Sequence, residues 1–144
     1  MALPLPDFFS WFAAQDDAWR RQPWLGLGKG PSFAKLGQFD TRPFLRFGLN
    51  HVITEARVDV AHAIDIEVVL ACAPLLQAQS GALLMPWLPN VGSRPGRKTL
   101  QEWAGEVPAL AALASQGRLL WYNRACSPAH GDSRVARRRR APTA

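Results

Sequence analysis

The stretch "LGLGKGPSF", residues 25–33, places three glycines at Gly26, Gly28 and Gly30 around Lys29, with Pro31 and Ser32 following. Glycines spaced this way let backbone N–H groups converge on an anion, and a lysine among them adds a charge suited to phosphate. Two common nucleotide patterns do not fit. The Walker pattern requires a Lys-Ser/Thr pair, whereas Lys29 is followed by Gly30 and Ser32 comes two positions late. The dinucleotide fingerprint G-x-G-x-x-G is broken by the G-x-G-x-G spacing. An acid about 20 residues on is also missing, since Asp40 is near and Asp59 far. What remains is a glycine turn after an apolar run, Trp24 to Gly28, with a short helix expected over Ser32 to Gln38.

Other residues with chemical potential are sparse. His51 follows Asn50, His62 lies within "DVAHAID", and His130 precedes Asp132 in an arginine-rich end. His51 and His130 are candidates for a general base, each against a plain structural alternative: a turn histidine for His51 and a solvated segment for His130. His62 reads as a hydrogen-bonded sheet residue. Cys72 and Cys126 are far apart, without metal-ligand spacing or the look of a disulfide framework, so no metal site is expected.

The elements that must hold these residues follow from hydrophobic periodicity. Residues 6–20 read as a helix, with Phe8, Trp11, Phe12 and Trp19 at helical spacing. Strands are expected at 24–28, 44–50, 58–65, 81–85 and 118–123. Helices are expected at 66–78, with Pro74 as a kink or early end, and at 99–115, where Thr99 and Glu102 form a capping-box pattern and Gly117 a stop. Residues 90–98 read as a loop. Five strands alternating with helical segments predict an α/β fold, a Rossmann-like, mainly parallel sheet with helices on both faces. Ligands of such sheets bind beyond the strand C-termini. Gly28–Ser32, Asn50, Asp65, Pro86–Trp87 and Asn123 all stand there. Trp87 is read as a packed loop aromatic, and Trp121 and Tyr122 as filling the two sheet faces.

Three regions are expected: an N-terminal helix at 1–22, an α/β domain at 23–123 and a basic tail at 124–144. The 144 residues carry net charge +6, unevenly placed. Residues 1–123 hold 11 Lys/Arg and 10 Asp/Glu; residues 124–144 hold 6 Arg and 1 Asp. The tail lacks the apolar residues needed to offset ordering entropy, and no aromatics interleave its arginines. Nucleic acid is therefore not the expected partner, although a basic-tailed nucleic-acid binder is the third functional reading. With 48% hydrophobic residues and no membrane-length apolar run, a cytoplasmic protein with a real core is expected.

"LGKGPSF" resembles the G-x-G-P-S-[LF] loop of sialyltransferase-like glycosyltransferases and related sugar-transfer proteins. In order, "LNHVI" (49–53) is similar to the family's second strand ending in Asn, and "VDVAHAIDIEVV" (58–69) to its third strand ending in an acid. The resemblance covers roughly residues 23–123. It implies a nucleotide-activated sugar of the cytidine monophosphate type as donor substrate, no separate cofactor, and a glycan or other hydroxyl acceptor. Gly28, Lys29, Gly30, Pro31 and Ser32 would meet the phosphate and ribose, Asn50 would bond the donor, and Asp65 would stand at the cleft rim as a further catalytic candidate. Ser32 would cap the following helix. Lys29 departs from the family, where Asn is common. The chain is short for such an enzyme, and the composition changes abruptly after Asn123. The donor-binding half of a larger domain is therefore expected, with a truncated or frame-altered end; it is a glycosyltransferase if complete and inactive if not. The alternative is a noncatalytic α/β binding or interaction domain. An incomplete sheet also leaves an open edge, for which a homodimer or poor solubility are the two expected outcomes.

Overall fold

The computed structural model describes residues 4–123; the Arg-rich end, with Cys126, His130 and Asp132, lies outside the described residues. The centre is a parallel sheet of β1 (Trp24–Leu27), β2 (Leu45–Leu49), β3 (Val58–His62), β4 (Ser80–Pro86) and β7 (Leu119–Tyr122). Strand order follows the chain, β1-β2-β3-β4-β7. Between the last two lie a small antiparallel hairpin, β5 (Asn90–Val91) and β6 (Arg94–Pro95), and the helices α5 (Leu100–Glu106) and α6 (Pro108–Ser115).

Sequential parallel strands joined by crossovers of one hand put every crossover on the same face. The packing shows this. Alternate residues Ala61, Leu83, Met85 and Leu119 join one core cluster with Val52, Ile53, Ile66, Val69, Leu76, Leu100, Leu110 and Leu113. These belong to the crossovers: a 3-10 turn at Asn50–Thr54, α3 (Ile66–Cys72), α4 (Leu76–Gln79), α5 and α6. The opposite set, Val60, Ala82, Leu84 and Leu120, forms a second cluster covered by Phe8 and Trp11 of α1 (Phe8–Ala13). Trp121 packs with the first cluster and Tyr122 with the second, the two-faced placement expected from sequence.

The predicted helices are shorter than their periodicity suggests, for local reasons. The segment 6–20 breaks into α1 and α2 (Asp17–Arg20), with Asp7 capping the first by accepting from the Ser10 amide at 3.0 Å. The helix expected at 66–78 divides at a 3-10 turn, Ala73–Leu75, where Pro74 lacks the amide to continue the ladder. The helix at 99–115 breaks at Val107, because Pro108 forces its predecessor out of helical geometry, at φ −104° and ψ 112°. The capping box at Thr99 is complete: its Oγ accepts from Glu102 N, and Glu102 Oε2 accepts from Thr99 N at 2.6 Å. Residues 90–95, expected as loop, form the hairpin instead, its turn using the left-handed residues Gly92 and Ser93.

Candidate functional site

The glycine loop leaves β1 as predicted and enters a 3-10 helix, Pro31–Gln38, rather than an α-helix. Gly30 occupies the N-cap and no side chain caps this helix, so the expected role of Ser32 as cap is not found. Phe33 N donates to Gly30 O, closing the first turn, and Pro31 has no amide to offer. Neither Gly26, Gly28 nor Gly30 has a positive φ, and a Cβ added at any of them would meet nothing within 4 Å. Neither conformation nor packing requires glycine at these positions. The result is bare, exposed backbone at the C-terminal end of β1.

Lys29 turns toward the next connection. Its Nζ lies 3.0 Å from Glu55 Oε1, and both side chains remain substantially exposed. Glu55 closes the 3-10 turn that follows β2. That turn begins at Asn50, a non-glycine residue in the left-handed region at φ 51°. Asparagine tolerates this conformation better than most residues, which accounts locally for an Asn at the end of β2. The next residue, His51, places Nδ1 3.6 Å from Cys72 Sγ at the end of α3. Burial pushes the Cys72 thiol above its ordinary range, opposed by the charge of Lys29. A buried, neutral thiol of this kind is a packing group rather than a nucleophile.

Asn50, Cys72 and His62 line a recess with Ala61, Ala63 and Val69, about 10 Å³ in volume. Roughly 300–1,000 Å³ is usual for a small-molecule pocket, so the recess by itself is too small for a sugar nucleotide. His62 is the hydrogen-bonded sheet residue expected from sequence. Its Nε2 lies 2.9 Å from Tyr122 Oη, and its ring stacks on Phe47 at 5.7 Å.

Asp65 is placed differently from Asn50. It stands before α3 without capping it, and its backbone pairs with Asn90 of the hairpin, while Asn90 N donates to Ile64 O at 2.9 Å. The hairpin is held further by Gly92 N donating to Glu67 Oε1 at 2.7 Å. Asp65 Oδ1 is buried without a hydrogen-bond partner among the described residues. Trp87 packs its ring on Trp121 at 5.1 Å, the packed loop aromatic that was expected.

The structure thus brings Lys29, Glu55, Asn50, His51 and Cys72 into one neighbourhood at the ends of β1 and β2, with Asp65 under the hairpin beyond β3. The Cys72–His51 contact was invisible in sequence, since the two are 21 residues apart and neither falls in a motif. Among the described residues no group of three or more His, Cys, Asp or Glu is arranged to hold a metal ion. No helix among them is long and apolar enough to cross a membrane.

Comparison with protein-family models, curated proteins and solved structures finds no match. The fold is therefore described by its own geometry: a five-stranded parallel sheet with flanking helices.

Proposed function

We propose that the loop Gly28–Ser32 binds the phosphate of a nucleotide, in the manner of the nucleotide half of a sugar-donor site. The observation that carries the reading is the unforced glycine run. Side chains would fit at Gly28 and Gly30 in the free fold, so their absence exposes the backbone at the strand C-terminus. Glycine there lets a ligand approach the main chain closely. Lys29 supplies the charge and Asn50, at the end of the neighbouring strand β2, a side-chain amide. If a hydroxyl acceptor is activated here, His51 is the group in place, at the end of β2 with its Nδ1 facing Cys72.

A noncatalytic interaction domain is the second reading. The small recess and the existing Lys29–Glu55 pair favour it.

The test uses the glycines themselves. Gly28→Ala and Gly30→Ala should leave the free protein as stable as before, or stabilise it by about 0.4–1 kcal/mol by restricting the unfolded chain. The same variants should lose nucleotide binding in a thermal-shift titration with cytidine, uridine, guanosine and adenosine mono- and diphosphates. A wild-type chain that melts cooperatively and responds to none of these nucleotides contradicts the proposal and leaves the interaction domain.

A further inference from the structure

The two edges of the sheet are treated differently. At the β7 edge, the segment before α1 runs alongside the strand: Trp121 N donates to Pro6 O at 3.2 Å, Trp121 Nε1 donates to Leu5 O at 2.9 Å, and Asp7 bridges Trp121 in parallel. The chain's own N-terminal segment covers that edge. At the other edge stands β1, with Gly26 and Trp24 exposed, the latter at 41%.

The register of β1 fixes which backbone groups face outward. Trp24 pairs with Leu45 and Gly26 with Phe47, and Leu45 N donates to Pro23 O. In a parallel ladder this turns Pro23, Leu25 and Leu27 toward β2, and the N–H and C=O groups of Trp24 and Gly26 away from it. Among the described residues no segment pairs with this edge, and its protection is limited to the shortness of a four-residue strand. Its sequence, Trp-Leu-Gly-Leu, carries no charge, no proline and no bulge.

We propose that β1 pairs with β1 of a second copy of this chain, antiparallel about a two-fold axis, joining two five-stranded sheets into one. The register that uses the outward groups sets Leu25 on the axis and Trp24 of each copy opposite Gly26 of the other. This pairing is self-complementary, as a two-fold interface requires. It places a large ring over a glycine, an arrangement that shields the glycine's exposed backbone. The Trp24 ring is already held on its own sheet by Phe8, Phe12 and Phe47, with centroids at 6.5, 5.7 and 5.7 Å. Little side-chain freedom is then lost on pairing. Antiparallel pairing also sends the two glycine loops to opposite ends of the joined sheet, so the inference stands independently of nucleotide binding.

The experiment is sedimentation velocity on the full chain from micromolar to sub-millimolar concentration, for wild type, Gly26→Pro, Gly26→Glu and Gly105→Glu. A Cβ at Gly26 meets nothing within 4 Å, and proline there removes an N–H that β2 does not use, so both edge variants suit the monomer. Gly105, in α5, is equally open and controls for added charge. Wild type and Gly105→Glu are expected to approach twice the 15.9 kDa chain mass, with both edge variants remaining at the single mass and keeping their melting temperature. A wild type that stays monomeric throughout, edge variants that dimerise as wild type does, or equal loss in Gly105→Glu would each overturn the proposal.

Discussion

The Lys29 ammonium is committed to Glu55 in the free protein, yet side-chain exposures of 42% and 49% make this a weakly held pair. Exposed ion pairs contribute about 0–1 kcal/mol, so a phosphate at the loop can take the lysine over at small cost. Glu55→Gln frees Lys29 and is expected to tighten nucleotide binding up to about fivefold, without a change in base preference, as the pair's worth of at most about 1 kcal/mol sets. Isothermal titration of both proteins at low salt measures it, and unchanged or weaker binding would place Lys29 outside the site. At this scale the sequence was informative wherever chemistry is local. The capping pair Thr99–Glu102 sits where its residue types suggest. The sequence was uninformative about Lys29–Glu55 and His51–Cys72, because both contacts join different connections and depend on how those connections pack. Ser32 misled because a serine after glycine and proline looks like a cap, whereas Gly30 begins the helix and the helix is 3-10.

Among the elements, the junction from α6 to β7 shows how one turn sets the sheet's register. Gly117, at φ 69°, closes α6 with its N–H on Ala114 O, and Arg118 N donates to Leu113 O, the two bonds of a Schellman ending. The chain then turns Arg118 back across the start of β4. Its guanidinium donates to Gly81 O at 2.8 Å, Gln77 O at 2.8 Å and Ser80 O, tying α4, β4 and β7 together. Arg118→Met keeps the length of the side chain but leaves these carbonyls without the guanidinium. It is expected to cost about 2–3 kcal/mol in urea unfolding, given the worth of charged hydrogen bonds. A loss under about 0.5 kcal/mol would show the clamp to be incidental. The α5 capping box gives a pH signature. Hydrogen bonds from Thr99, backbone first and then side chain, with the Lys98 charge adding to them, hold the Glu102 carboxyl below its usual range. A depressed folded value means that the contribution is present above the unfolded carboxylate range and lost as pH falls through the folded value. The melting-temperature gap between wild type and Glu102→Gln should therefore be open at neutral pH and close in acid. A gap that is constant with pH contradicts this assignment. Element types were legible from periodicity, and Pro74 marked the break in its own helix; the break at Pro108 was not read, because the apolar spacing runs on across it.

Across the whole molecule, the sequential strand order has a consequence that periodicity alone does not reveal. Every crossover lies on one face of the sheet, and the aromatic residues of α1 cover part of the other. The alternation of strands and helices predicts a parallel sheet but not the order of its strands, because order is set by crossover direction rather than by hydrophobic pattern. The described sheet has no reversal of order, hence no crevice between oppositely directed crossovers of the kind that receives nucleotides in doubly wound folds. The proposed ligand must instead lie along the exposed loop and the mouth of the recess, meeting bare backbone at β1 and Asn50 at β2. The most direct measurement is a backbone amide NMR titration of the full chain with cytidine monophosphate. Concentration-dependent shifts are expected at Gly28, Lys29, Gly30, Ser32 and Asn50, with Tyr122 and α1 unchanged. Shifts confined to other surfaces, or none at saturating nucleotide, would contradict the proposal.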